Sequence, residues 1–280
     1  MNLRIANIFL CAFALFLTSC NFSYNKVLKS TDPAFKVAKA KEYYEQGKYE
    51  KAIPLFEEHL TLNKGIKNSE EILYLYADAH YKMKDYAMAS FYFRNFVSSY
   101  PNSKKVEDAA FMIAKSFEEE SPRYSLDQTN TQKAIEQYQL FINRYSKSNR
   151  VADANAAIDV LRAKLHKKAY ESAYLYYKIK QYQAASVSFK ALLKDYPDID
   201  NRAKIQYYVV KSLKAYADKS YDIKKTERYQ ETAKECALFL ETYPDNAYKI
   251  EVEQIYKNVL EQIKSLENGK TNSGKEERGN

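Results

Sequence analysis

The chain has 280 residues, a formal net charge of +8, 27 tyrosines and no tryptophan. It contains only 5 glycines, and Gly269, Gly274 and Gly279 lie close to its C-terminal end. The two other glycines cannot supply G-x-G-x-x-G or a P-loop, so backbone cradles for nucleotide phosphates are excluded, and folds rich in tight β-hairpins are disfavoured.

The first residues predict export. Ile5 to Leu17 is an apolar run broken only by Asn7. It is shorter than the roughly 20 residues that cross a bilayer and is typical of the apolar region of a signal peptide. The run ends in Leu17-Thr18-Ser19-Cys20, which resembles a bacterial lipobox. We therefore predict that residues 1–19 are a lipoprotein signal peptide and that Cys20 is acylated. The alternative is an ordinary cleaved signal peptide that happens to contain a cysteine.

The sequence after the signal peptide predicts where the anchor sits. The mature chain keeps Cys20 and Cys236, so no intramolecular disulfide can form once Cys20 carries lipid. Residues 20–32 are predicted to be a lipidated tether. Lipoprotein sorting associates an aspartate directly after the cysteine with retention at the inner membrane, and Asn21 occupies that position. The resemblance to sorted lipoproteins implies an anchor in the outer membrane, with the chain facing the periplasm.

One helical pattern recurs from residue 33 onward. Asp32 and Pro33 predict a helix start, as N-cap and first helical residue. The pattern starts with a small residue, which is followed after four positions by an aromatic residue and after seven by an apolar residue. A tyrosine follows at eleven positions, and usually a proline directly after it stops the helix. The copies begin at Ala52, Ala89, Ala134, Ala185 and Thr232, and the first copy is the weakest.

A second small residue precedes three of these copies by twelve positions, at Ala40, Ala77 and Ala173. Each lies in a helical pattern of its own, and a short polar turn ending in tyrosine follows it. This unit of helix A, turn and helix B resembles the tetratricopeptide repeat. The sequence therefore predicts an all-α fold, an α-solenoid of about five tetratricopeptide-like helix pairs over residues 33–267. The alternative is an irregular helical bundle.

The remaining segments complete this prediction. The third and fifth units have longer connections between their helices. Val151–Lys164 is helical in pattern and is expected to continue into the A helix of the fourth unit. Tyr248–Leu266 predicts a C-terminal capping helix that covers the last repeat. Residues 268–280 are polar and contain glycine, so we predict a disordered tail there.

No catalytic constellation is found in the sequence. His59, His80 and His166 are too far apart in sequence for a metal-binding motif, and H-E-x-x-H is absent. Cys236 occupies a core position of its repeat and is expected to be a buried apolar residue. We therefore predict no enzyme activity, no cofactor and no metal. A basic chain suggests nucleic acid, but export argues against that partner.

Tyrosines concentrate on the predicted A helices. In stacked helical pairs these helices line the concave side, where ligands bind, and a phenol ring suits peptide recognition. The alternative is that the rings pack between neighbouring repeats. The residues concerned are Tyr43, Tyr44, Tyr74, Tyr76, Tyr81, Tyr174, Tyr176, Tyr177, Tyr207 and Tyr208.

The combination resembles the BamD family, lipoproteins of the β-barrel assembly machinery. The resemblance is carried by the lipobox, the five units, the stretch from Leu126 to Thr131 (LDQTNT) and Leu161-Arg162 ahead of Ala173-Tyr174. It covers nearly the whole mature chain. It implies a scaffold without catalysis, whose C-terminal repeats hold the periplasmic domains of a BamA-like barrel-forming subunit. The N-terminal repeats would receive unfolded outer-membrane proteins.

On this resemblance we expect substrate peptides to contact the residues near Tyr43, Tyr44, Tyr76, His80 and Tyr81. Two other classes of protein stay open. One is a repeat scaffold lipoprotein serving cell-wall or division machinery. The other is a glycan-binding lipoprotein, although such proteins are usually rich in tryptophan at the sugar face and this chain has none.

Overall fold

The computed structural model describes residues 24–62 and 69–276, and the signal peptide and Cys20 lie outside these ranges. The chain divides into two compact units, with the boundary between Leu161 and Arg162. The range that the sequence predicted as one repeat domain therefore contains two units. The first holds helix pairs one to three and residues 151–161 of the fourth A helix, and the second holds the rest of pair four, pair five and the closing helix.

The predicted all-α class is confirmed, since the described residues contain no β-strand. Consecutive helices pack against each other as tetratricopeptide-like hairpins, for example α1 on α2 and α3 on α4. The helices are α1 (Pro33–Glu45), α2 (Tyr49–Leu62), α3 (Ser69–Lys82), α4 (Tyr86–Ser99), α5 (Val106–Glu119), α6 (Thr129–Arg144), α7 (Val151–Lys178), α8 (Tyr182–Asp195), α9 (Arg202–Asp218), α10 (Asp222–Thr242) and α11 (Lys249–Glu276).

The helix boundaries follow from local chemistry. The Asp32 carboxylate accepts hydrogen bonds from the backbone N–H groups of Ala34 and Phe35 at 2.9 and 3.2 Å, which confirms the predicted N-cap of α1. Each B helix from the second pair onward ends at a tyrosine whose N–H donates back into the last turn. Tyr145 does so to Phe141 at 2.8 Å although Ser146 replaces the usual proline.

The turns between helices A and B of pairs one, two and four share one conformation. Gly47, Lys84 and Lys180 occupy equivalent positions, with φ of 72°, 62° and 65°. The Gly47 N–H donates to the carbonyl of Tyr44 at 2.9 Å and the next N–H donates to that of Tyr43 at 2.8 Å, and the other two turns repeat both bonds. This is the Schellman arrangement, in which a left-handed residue closes the helix.

The predicted small residues lie where the helices of a pair meet. All of them are completely buried, and so are the residues four positions after them on the B helices, which are aromatic in four copies and Cys236 in the fifth. Ser212 is also completely buried and precedes Thr232 by the same 20 positions that separate Ala114 from Ala134. Ser212 is not predicted from the sequence, because the inserted residues shift it away from the twelve-residue spacing.

Two predicted boundaries are corrected by the structure. Residues 24–28 of the predicted tether form a helical turn, in which Val27 is buried because it packs on the first helix pair. At the other end α11 continues to Glu276 through most of the predicted disordered tail. The polar composition of this segment predicted that it would not fold. However, Gly269 and Gly274 each lower the stability of a helix by only about 1 kcal/mol, and the segment contains no proline that would end the helix.

Candidate partner-binding surfaces

The five residues predicted to contact substrate peptides lie in the first unit but do not form one surface. Tyr43 is buried with its ring edge-on to Tyr24, centroids 5.7 Å apart. Tyr44 is half-buried and packs on Tyr49. The other three belong to the second pair, where Tyr76 and His80 are buried and Tyr81 is half-buried against Tyr86, with ring centroids 5.3 Å apart.

The second pair nevertheless carries an aromatic cluster that reaches the surface. Tyr76, His80 and Tyr92 are in mutual contact, with ring centroids 4.5 to 5.5 Å apart. The imidazole Nδ1 of His80 lies 3.0 Å from a carboxylate oxygen of Asp85 at the start of α4, which fixes the ring. Phe91 packs edge-on to Tyr92 with centroids 5.1 Å apart and is 54% exposed. Phe91 is thus a solvent-facing phenyl ring on a rigid aromatic base, and we call these four residues the second-pair cluster.

Several tyrosine hydroxyls are used between helix pairs. Tyr44 of α1 donates a hydrogen bond to the carboxylate of Asp78 in α3, and Tyr74 of α3 donates to that of Asp108 in α5. Burial raises the pKa of both phenols, and the bonded carboxylates raise it further, so both remain protonated donors at neutral pH. For these two tyrosines the alternative interpretation of the sequence applies, since they pack between neighbouring repeats. The signal that identifies them is a carboxylate 34 positions after each tyrosine.

The stretch from Leu126 to Thr131, on which the family resemblance partly rests, stabilises the long connection of the third pair. The Gln128 amide is buried and donates to the backbone carbonyls of Arg123 and Leu126, both at 3.0 Å. Its carbonyl oxygen accepts the Thr131 hydroxyl at 2.8 Å, and that hydroxyl lies 2.6 Å from the Ser121 hydroxyl. The inserted loop between α5 and α6 is therefore held in one conformation by satisfied buried polar groups.

The second unit exposes large apolar side chains around the turn between α7 and α8. The Tyr216 hydroxyl donates to the Gln183 side chain at 2.8 Å, and the Lys219 ammonium lies 5.0 Å from the ring centre of Tyr182. These contacts hold the end of α9 beside that turn. The exposed residues, which we call the turn patch, are Leu175, Tyr176 and Ile179 before the turn and Tyr221 and Ile223 after α9.

The described residues offer little reactive chemistry. They contain no group of histidines, cysteines and carboxylates that could hold a metal ion. Cys236 is completely buried, and desolvation raises the pKa of its thiol to about 12, so the reactive thiolate is not formed near neutral pH. In the same part of the chain, every helix is too short or too polar to cross a bilayer.

Comparison with known proteins identifies the family. The YfiO family, described as an outer membrane lipoprotein, matches residues 29–222. A protein of Aquifex aeolicus (strain VF5) named as a putative outer membrane protein assembly factor BamD is 26% identical over 188 residues, which are 62% of this chain and 60% of that relative. The aligned part of the chain thus spans about three-fifths of that relative's length.

Solved structures of tetratricopeptide proteins are also similar over most of the chain. The TPR2AB domain of yeast Sti1 in complex with pHSP90 is 15% identical with a TM-score of 0.39, covering 81% of this chain and 98% of its own. TTC0263, a thermophilic TPR protein of Thermus thermophilus, is 15% identical with a TM-score of 0.31, covering 82% of this chain and 99% of its own.

The family match begins inside the segment that precedes α1 and ends at the first residue of α10. It therefore includes the first pair, the braced loop of the third pair and both helices of the fourth pair. With the named relative, it confirms the resemblance to BamD assembly factors that the sequence indicated. The chain belongs to the YfiO family of outer membrane lipoproteins.

Proposed function

We propose that the chain is a non-catalytic scaffold lipoprotein that helps to assemble β-barrel proteins at the outer membrane. The match of residues 29–222 to an outer membrane lipoprotein family carries this proposal, and the name of the Aquifex relative supports it. The chain is anchored through an acylated Cys20 and faces the periplasm. It acts by holding other proteins.

The second unit binds the periplasmic domains of the barrel-forming subunit through the turn patch. Large apolar side chains that remain exposed are typical of interaction sites. Lysines lie next to these residues in the sequence, among them Lys178, Lys180 and Lys219. A partner surface with apolar pockets and an acidic rim would complement both features.

Co-purification from detergent-solubilised outer membranes tests this contact. The intact chain is expected to bring down a large β-barrel subunit, and an Ile179→Glu/Ile223→Glu variant is expected to lower its recovery at least tenfold. A Leu238→Glu/Leu260→Glu variant is the control, because these leucines are also exposed in the second unit but lie outside the turn patch. Recovery of cell-wall or division proteins in place of the barrel subunit would contradict the proposal.

Unfolded outer-membrane proteins bind the first unit at the second-pair cluster. Of the residues predicted from the sequence, Tyr76 and His80 form the base of the site, while Phe91 offers the accessible ring. Met88 lies three positions before Phe91 on α4 and is also exposed. A peptide ending in an aromatic residue would stack on these side chains.

Site-specific photocrosslinking tests the peptide contact. A photoreactive residue in place of Phe91 is expected to label unfolded outer-membrane proteins during their assembly. Leu140 of α6 is the control position, because it lies in the same unit and is 53% exposed against 54% for Phe91. Equal labelling from both positions, or labelling from the second unit alone, would contradict this site.

A further inference from the structure

Residues 24–28, which precede α1, are folded onto the first pair. Val27 is 3% exposed, and the Tyr24 hydroxyl donates to the carbonyl oxygen of Lys51 in α2 at 3.3 Å. The Lys51 ammonium lies 5.6 and 6.0 Å from the ring centres of Tyr24 and Tyr43. These contacts hold the segment at its first described residue, Tyr24.

The distance from the anchor to the fold is therefore short. Cys20 and Tyr24 are separated by four peptide units, and an extended chain covers at most about 3.6 Å per residue, or about 14 Å in all. An acylated cysteine sits at the level of the lipid headgroups. The surface around Tyr24 must then lie within roughly that distance of the membrane, so its chemistry can act on the bilayer.

That surface carries exposed lysines and exposed apolar side chains. Lys26, Leu28 and Lys29 are exposed on the helical turn, and Phe35 is exposed on the first turn of α1. Lys26, Lys29 and Phe35 line one open hollow together with Asn25 and Ser30. Asp32 is the nearest acidic residue in sequence, and its carboxylate is engaged by the N-terminal N–H groups of α1.

We propose that this surface, which we call the anchor face, docks onto anionic lipid headgroups of the membrane that holds the acyl chains. Lys26 and Lys29 pair with phosphate groups, while Phe35 and Leu28 enter the boundary between headgroups and acyl chains. The inference rests on the proposed acylation of Cys20. It adds that the first pair is held against the bilayer and does not swing on a free linker.

The absence of tryptophan from the chain gives a clean spectroscopic test. Acylated mature Phe35→Trp protein is reconstituted into vesicles that contain phosphatidylglycerol, with or without brominated lipid as a quencher. We expect blue-shifted emission that the brominated lipid quenches. Phe91→Trp is the control, because Phe91 is an exposed phenylalanine of the same unit outside the anchor face, and its emission is expected to stay unquenched.

A charge-matched pair of variants identifies the groups that bind the lipid. Lys26→Glu/Lys29→Glu in the Phe35→Trp protein is expected to abolish quenching, since loss of two lysines near an anionic surface weakens docking about 30-fold. Lys82→Glu/Lys147→Glu changes the net charge equally, at exposed lysines outside the hollow, and is expected to leave quenching intact. Replacing phosphatidylglycerol with phosphatidylcholine should also remove it.

Flotation of the vesicles separates failure of the anchor from failure of docking. Protein that floats with the vesicles while Phe35→Trp stays unquenched would overturn the anchor face and leave the acyl anchor in place. Protein that does not float would overturn the anchor and the docking with it. Equal loss of quenching in both lysine variants would also overturn the proposal, because it would assign the effect to overall charge.

Discussion

At the scale of the residue, small side chains set how closely two helices of a pair approach. Ala89 has no exposed surface and belongs to the same core cluster as Ala77 of the facing helix α3. Ala89→Leu adds three carbon atoms to this contact and is expected to lower the free energy of unfolding by roughly 1–3 kcal/mol through overpacking. Urea denaturation measures the change.

The control for this substitution lies on the same helix. Ala87 is two positions away on α4 and is exposed, so Ala87→Leu adds the same atoms where they meet solvent. It is expected to change the free energy of unfolding by less than about 0.5 kcal/mol. Equal losses from the two substitutions would contradict the assigned register of α4.

A second residue-scale prediction concerns pH. The Tyr207 hydroxyl donates to the Glu251 carboxylate at 2.6 Å, and the Lys211 ammonium lies 3.1 Å from the same carboxylate. The hydrogen bond from Tyr207 and the charge of Lys211 lower the pKa of Glu251. A carboxyl group whose pKa is lowered by folding stabilises the native state above its unfolded pKa, near 4.3, and the contribution is lost as the pH falls through the folded pKa.

Tyr207→Phe removes the main donor to this carboxylate. We expect it to lower the free energy of unfolding by about 1 kcal/mol at pH 7. The difference from the unmodified chain should shrink below about pH 4, as Glu251 becomes protonated in both proteins. Thermal melts between pH 7 and pH 3 provide the measurement. A difference that stays constant over this range would mean that the Tyr207 hydroxyl stabilises the chain independently of the charge on Glu251.

At the scale of the element, the left-handed conformation shared by the three turns costs a lysine more free energy than it costs a glycine. Lys84 adopts the same left-handed conformation as Gly47, although a Cβ atom costs roughly 1–2 kcal/mol there. Lys84→Gly is therefore expected to raise the free energy of unfolding by about 1 kcal/mol. Gly47→Ala should lower it by a similar amount, and since an added Cβ would meet no atom within 4 Å, the loss would report backbone conformation alone.

The control for the turn is a lysine in the helix just before it. Lys82 lies in the last turn of α3, where glycine replaces a good helix former, so Lys82→Gly is expected to destabilise the chain by up to about 1 kcal/mol. Chemical denaturation of the three variants under one condition gives the comparison. A stabilising effect of glycine at both positions 82 and 84 would show that the turn conformation is not the cause.

The sequence predicts these elements well where a local rule decides them. Asp32 and Pro33 mark the start of α1, and the spacing of small and aromatic residues predicts both helices of each pair. The turn at 24–28 is too short to show a periodicity, so burial of Val27 could not be foreseen. Whether Tyr76 is buried or lines a groove can also not be predicted from the sequence. An A helix packs on neighbours along several faces, and a tyrosine is suited to a ligand-binding groove and to a helix interface equally.

At the scale of the whole molecule, the proposed function depends on one covalent anchor. The described helices cannot hold the chain in a bilayer by crossing it, and two or three acyl chains at one cysteine give stable attachment where a single chain does not. A chain without the anchor is expected to fold normally, because the contacts described for the first pair involve Tyr24 and the residues after it, not Cys20.

Cys20→Ala is therefore expected to move the protein from the membrane fraction to the soluble fraction of a cell lysate, with an unchanged helical circular dichroism spectrum. Cys236→Ala is the matched control. It removes a buried sulfur atom from the fifth pair and costs some stability, but the protein should stay with the membrane. Mass spectrometry of the mature N-terminus should find the acyl chains on residue 20 of the unmodified chain. Membrane retention of the Cys20→Ala protein would show that another attachment holds the chain, and the short tether could then not place the anchor face on the bilayer.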